Sequence, residues 1–291
     1  NDASFVFEPE RSNNLGLGFR CGFLGLLHLD IVRERLKREY DLDLTITSPS
    51  VAYRVTLIDD QQIIIKTAED FPSPIKIKKI EEPWLKINLV TPQNCLGQVM
   101  SLIKQNKGEI INTHFLFNQQ IDNSSEEPNK QCQVVLDLEM PLSLLLVNFY
   151  DKLKSISSGY ASYSYELLGY RITKVSKLDI LIAEEKIVPL SRIVYQDRAY
   201  AEGRILVDQL KKNLPRQQFE IKIQAVVNGK IIAAERLSAL RKDVTAKLYG
   251  GDISRKMKLL KKQKKGKKRM RQHGKVYVPT EIYVKMLTIN K

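Results

Sequence analysis

Three cysteines, three histidines and one tryptophan are all that 291 residues contain of those types. Cys21, Cys95 and Cys132 are odd in number, widely spaced and without a CxxC pair. That pattern excludes a disulfide framework and a cysteine-based metal site, and it points to a reducing compartment, the cytoplasm or an organelle matrix with its own translation. His28, His114 and His273 each stand alone, with no HExxH, paired carboxylate or nucleophile elbow near them, so no catalytic constellation is visible. His28 reads as a core or interface residue. The longest apolar stretch, PLSLLLVNFY at 141–150, is too short and too interrupted by polar groups to cross a bilayer. Neither end carries a secretory or lipidation signal. GxxxxGK followed by Ser or Thr is missing. The loop GLGFRCG has GxGxxxG spacing, which fails the dinucleotide fingerprint, so its expected role is backbone packing. No cofactor or metal is expected in this chain.

The most informative absence is local. Between Arg255 and Lys275 there is no acid, but there are twelve cations: Arg255, Lys256, Lys258, Lys261, Lys262, Lys264, Lys265, Lys267, Lys268, Arg269, Arg271 and Lys275. The whole chain is +14, so the remainder carries only +2. Such density repels itself and calls for a polyanion. Nucleic acid is the leading class, an anionic membrane surface is second, and a solvated tail without a dedicated partner is third. As a helix from Ile253 to about Arg271 the run is polar nearly all round, with Met257, Leu259, Leu260 and Met270 to bury. It should gain order from its ligand. Weak amphipathicity speaks against lying on a membrane. With no aromatic in the run, phosphate contact and not base stacking is its mode, and His273 would join those contacts. Without a helix-turn-helix or zinc-finger pattern, structured RNA fits better than sequence-specific DNA reading.

The rest of the chain reads as globular, with 43% hydrophobic residues and room for two or three domains. Residues 1–75 read as strand SFVFEP, a loop with Gly16, Gly18, Gly22 and Gly25, the helix LLHLDIVRERLKREY, and the strands LDLTITS and VAYRVTLI. Glu34 and Arg38 sit one turn apart on that helix. Pro72, Pro74 and Pro83 mark residues 76–83 as a linker. From 84 to 172 the order is βαββαβ, a ferredoxin-like arrangement, with FNQQIDNSSEEPNK as an exposed loop. Residues 173–291 hold a helix ending at Pro215, a hairpin turning at Asn228-Gly229, a helix SALRKDVTAKLY stopped by Gly250-Gly251, the basic run, and an apolar terminal segment. The fold class is α+β: ferredoxin-like modules, the first truncated, followed by an α+β C-terminal domain with a basic helix.

Three stretches together resemble the LepA-type translation factors, also called elongation factor 4. GFRCGFLGLLHLDIVRERLKREYDLDL is similar to the family's third domain. LLVNFYDKLKSISSGYASYSYELLGY is similar to its counterpart of the fifth domain of elongation factor G. LPRQQFEIKIQA, LRKDVTAKLYGGDISRKMKLLKKQKKGKKRM and VYVP are similar to its special C-terminal domain. The resemblance implies a ribosome-dependent GTPase, with GTP and Mg2+ bound in domains upstream of Asn1 and with the third domain lacking its first strand and helix here. It implies engagement of ribosomal RNA and tRNA by a cytoplasmic monomer. Back-translocation of tRNAs, ribosome assembly and fidelity under stress are the roles attached to the family, and peripheral contact with the inner membrane face is the alternative through the same lysines. Carried over by position, the RNA-facing residues are Arg216, Gln217 and Gln218, then Lys247, Tyr249, Gly250 and Gly251, then the basic run. Gly250-Gly251 would permit a tight turn close to phosphate. One departure is the loop 117–130, longer than the family's usual connection.

Overall fold

The computed structural model describes residues 4–12, 16–24, 26–42, 44, 46–47, 51–116, 133–146, 149–245, 253–274, 276 and 278–287. Two compact units divide the chain: Asn1–Ser48 together with Ser176–Ile289, and Pro49–Val175. The fold is α+β with antiparallel pairing.

The first unit begins with β1 (Val6–Ser12) and β2 (Gly16–Gly22), paired antiparallel with Val6 opposite Gly22. The glycine stretch read as a loop is therefore largely a strand. A Cβ on Gly22 would lie 3.8 Å from the Val6 carbonyl, an ordinary contact, so the pairing itself does not require glycine there. Helix α1 (Leu26–Tyr40) follows the sequence expectation. On its wet face Arg38 donates to Glu34 at 2.8 Å and Arg35 to Glu39 at 3.1 Å, pairs that contribute about 0.2–0.5 kcal/mol each. The segment LDLTITS, expected as a strand, forms none among its described residues.

The second unit holds β3 (Tyr53–Leu57), β4 (Gln62–Ile65), β5 (Ile77–Pro92), α2 (Leu96–Gln105), β6 (Glu109–Leu116), β7 (Gln133–Pro141), α3 (Leu142–Leu146), α4 (Phe149–Ile156) and β8 (Ser162–Ile172). Strand β5 pairs with β7 on one edge and β8 on the other, and β6 joins β7. That is the βαββαβ ferredoxin-like core the sequence pattern implies. Alternation places Leu85, Ile87 and Leu89 under the helices, against Val99, Ile103, Phe149 and Leu153, all buried. The proposed linker 76–83 is a correction, because it forms the first half of β5, and β3 pairs there through Arg54–Glu81 and Leu57–Ile77. Pro83 is tolerated because β3's ladder ends at Glu81 and β7's begins at Trp84. The missing N–H falls in the gap between them. Strands β3 and β4, assigned from sequence to the first domain, thus belong to this sheet. The loop 117–130 lies outside the described residues.

The first unit resumes with β9 (Val175–Ile182), β10 (Glu185–Lys186), β11 (Arg192–Tyr195), α5 (Ala199–Asn213), β12 (Ile221–Val227), β13 (Lys230–Leu237), α6 (Ile253–His273) and α7 (Thr280–Leu287). The β12–β13 hairpin turns at Asn228 and Gly229, with φ of 51° and 79°, the left-handed pair that an Asn-Gly turn supplies. Helix α5 lies on this hairpin, and Gly203 allows the approach: a Cβ there would sit 2.8 Å from Ile232 Cδ1 and 3.1 Å from Ala225 Cβ. Leu206, Val207 and Leu210 complete the core with Ile180, Ile221 and Ile223, and α7 adds Ile282 and Met286. The helix expected over SALRKDVTAKLY is contradicted at residues 238–245, which form no helix and bend at 244–245. Asp243 accepts from the Thr245 N–H at 2.9 Å and from its hydroxyl at 2.8 Å, local bonds that compete with a helix. The Leu240 N–H is committed to the Gln217 carbonyl at 2.8 Å.

Candidate nucleic-acid interface

Helix α6 runs for 21 residues, a rod of roughly 30 Å at 1.5 Å per residue. Its half-buried positions are Lys256, Leu259, Leu260, Gln263, Gly266 and Lys267, which a 3.6-residue period places on one face. That face is held by polar bonds: Gln263 Nε2 donates to the Lys242 carbonyl at 2.8 Å, and Lys267 Nζ to the Leu240 carbonyl at 2.5 Å. At the C-terminal end Gly274 abuts Phe219, where a Cβ would come within 2.4 Å of the ring. The opposite side is dominated by cations, with Ser254 and Met257 among them. Lys258, Lys261, Lys265 and Lys268 form a stripe at i, i+3, i+7, i+10, flanked by Arg255, Lys262, Lys264 and Arg269, and all eight are exposed. None of them pairs with a carboxylate among the described residues. Met257 and Met270, expected to be buried, are each 53% exposed, whereas Leu259 and Leu260 are half-buried on the seated face.

The carried-over residues separate. Arg216 and Gln218 are exposed and Gln217 is half-buried. Arg216 edges a shallow hollow with Lys211, Lys212 and Asp208. Lys211 Nζ meets Glu235 at 2.8 Å, and this bond holds the Glu235 carboxyl below its ordinary value. Lys247, Tyr249, Gly250, Gly251 and Lys275 lie outside the described residues, as do the side chains of Arg271 and His273. Charge is distributed as unevenly as the sequence suggested. Residues 49–175 carry 13 Lys and Arg against 14 Asp and Glu, so the surplus that attracts a polyanion belongs to the first unit.

Gly266 interrupts the helix interior, yet a Cβ there would meet nothing within 4 Å. Gly266→Ala should therefore stabilise the fold by about 0.5–1 kcal/mol, read as a raised midpoint in urea unfolding.

Two features were not visible in the sequence. Arg192 is half-buried overall, with Nε and Nη2 sealed from solvent and without hydrogen-bond partners. Burial pushes its guanidinium down, and the Glu202 charge opposes this. On the second unit, Tyr163 packs 6.2 Å from Tyr150 and 6.3 Å from Tyr165, and burial first, then the neighbouring phenols, raises its hydroxyl. Among the described residues no group of three or more His, Cys, Asp or Glu could hold a metal ion, and no helix is long and apolar enough to cross a membrane.

Two family models match consecutive stretches of the chain. Residues 79–181 match the family described as the elongation factor G C-terminus, and residues 182–288 match the GTP-binding protein LepA C-terminus. The chain is 48% identical over 291 residues to the translation factor GUF1 homolog of the Paulinella chromatophora organellar chromatophore. It is 47% identical to elongation factor 4 of Prochlorococcus marinus and 46% identical to elongation factor 4 of Streptococcus pneumoniae, in each case over the whole chain. It spans 46% of the length of these relatives. A ferredoxin-like module of the elongation factor G type, followed by an α+β domain bearing a basic helix, defines part of a translation factor. The chain belongs to the LepA-type family, the elongation factor 4 proteins.

Proposed function

We propose that this chain is the ribosome- and tRNA-engaging part of a translational GTPase, with α6 as its RNA-binding element. The outward stripe of unpaired cations on α6 carries the reading, because side chains so arranged neutralise phosphates and release counterions. The family membership supplies the ribosome as the structured RNA, and back-translocation or fidelity under stress as the step served. In this reading GTP and Mg2+ bind a part of the protein outside these 291 residues, the factor is a cytoplasmic monomer, and Arg216, Gln218, Lys247, Tyr249, Gly250 and Gly251 add RNA contacts to those of α6. A role in ribosome assembly uses the same RNA surface. Membrane association finds less support. Ile253 and Met257 alone are apolar and exposed on the outward side, and Met270 lies apart from them, too little to enter the acyl boundary.

Co-sedimentation tests this directly. The chain should pellet with ribosomes at low salt, be released as salt rises, and be displaced by ribosomal RNA. Retention by anionic vesicles in competition with that RNA at physiological salt would overturn the assignment.

A further inference from the structure

We infer that the PRQQF segment acts as the seat of the basic helix, and that Gln263, Lys267 and Gly274 are positioning residues that aim its cation stripe. The inference rests on the RNA-binding reading of α6 and divides the run's cations by job. Three contacts build the seat. The Gln217 carbonyl accepts from the Leu240 N–H at 2.8 Å. The Leu240 carbonyl in turn accepts from Lys267 Nζ at 2.5 Å, and two residues on, the Lys242 carbonyl accepts from Gln263. The segment 240–242 is thus a strap, fixed to PRQQF on one side and to the middle of α6 on the other. Immediately past the helix, Gly274 closes on the ring of Phe219, the last residue of the same motif, and its N–H still bonds the Met270 carbonyl at 2.8 Å. Two fixed points, one mid-helix and one at the end, define both the direction and the rotation of a rod.

The consequence is chemical. Lys267 spends its ammonium on a protein carbonyl, and Lys256 sits half-buried on the same face. Neither is disposed like Lys258, Lys261, Lys265 and Lys268, which point the other way. Gln263 carries no charge at all, yet it fixes which cations face outward. A polyanion bound at one side meets a stripe whose geometry is set in advance, and the ordering cost is met within the fold.

The discriminating measurement is the salt dependence of binding to ribosomal RNA, made on the full 291-residue chain. Lys262→Gln removes an outward cation and should flatten the slope of log K against log salt by roughly 0.7–0.9. Gln263→Leu and Lys267→Met should weaken binding by several fold with the slope unchanged, and Lys267→Arg, which keeps a donor, should restore it. If Lys267→Met flattens the slope as Lys262→Gln does, Lys267 is a phosphate contact and the seat is wrong. If Lys262→Gln changes neither affinity nor slope, the RNA-binding reading itself fails. A second readout needs no RNA. In Gly274→Ala and Gln263→Leu, amide hydrogen exchange across α6 should accelerate by about tenfold or more while β12 and β13 stay protected. Unchanged exchange in α6 would overturn the seat.

Discussion

Replacing Lys258, Lys261, Lys262, Lys265, Lys268 and Arg269 together with Gln abolishes RNA binding at physiological salt and leaves the fold intact. These six are exposed and without carboxylate partners among the described residues, so no core contact is lost. Each phosphate contact contributes about 0.7–0.9 to the slope of log K against log salt, depending on whether the RNA is single-stranded or duplex-like. Loss of six contacts flattens it by roughly 4–5, and affinity falls by several orders of magnitude at moderate salt. The folded state should gain slightly, because like charges one turn apart each cost about 0.2–0.5 kcal/mol in an isolated helix. Filter binding across a salt series, with urea unfolding alongside, checks both halves. A sextuple variant that retains the parent slope would show that α6 is not the phosphate-binding surface.

The second effect is expected at a place with no bearing on RNA. Arg192 on β11 has two sealed, unpartnered donors, and Glu202 on α5 is its first opposing charge. Burial raises the Glu202 carboxyl, with Arg192 and then Arg198 pulling it back. Glu202→Gln removes that opposing charge without breaking an ion pair, and because burial already favours the neutral carboxyl it should cost about 1 kcal/mol or less. Arg192→Met combined with Glu202→Gln should recover most of that loss, since each orphaned donor carries a penalty of about 1–3 kcal/mol that disappears with it. Urea unfolding of the two singles and the double closes the cycle, and simple additivity would sink the coupling. The pH dependence has a definite sign. Glu202 holds its proton more tightly folded than unfolded, so its contribution is full below the unfolded value and is lost as pH rises through the folded one. Glu202→Gln should remove that slope.

Much of the architecture could be read from residue patterns, because local chemistry and tertiary context agree there. Helix α1 matches the sequence segment, the Asn228-Gly229 turn has the backbone angles such a pair favours, and the βαββαβ core follows the alternation of its strands. Pro83 misled because a proline normally stops a strand. Only the change of partner from β3 to β7 along β5 makes it harmless. The seat of α6 was hidden for a different reason. Positions 256, 259, 260, 263, 266 and 267 have a helical period, but Lys, Gln and Gly among them do not register as a buried face. Hydrogen bonds to distant carbonyls leave no trace in hydropathy, and Arg192 was silent for the same cause.

Strand β5 has a consequence for how the molecule comes into being. Its N-terminal half can zip with β3 as soon as both have left the exit tunnel, but Glu81 meets Ile172 only after about 90 further residues have been made. Pairings of such separation form late, typically in milliseconds to seconds. Until then β5 offers an open edge carrying Leu85, Ile87 and Leu89. A nascent chain paused before β8 is thus the stage most exposed to aggregation or chaperone capture.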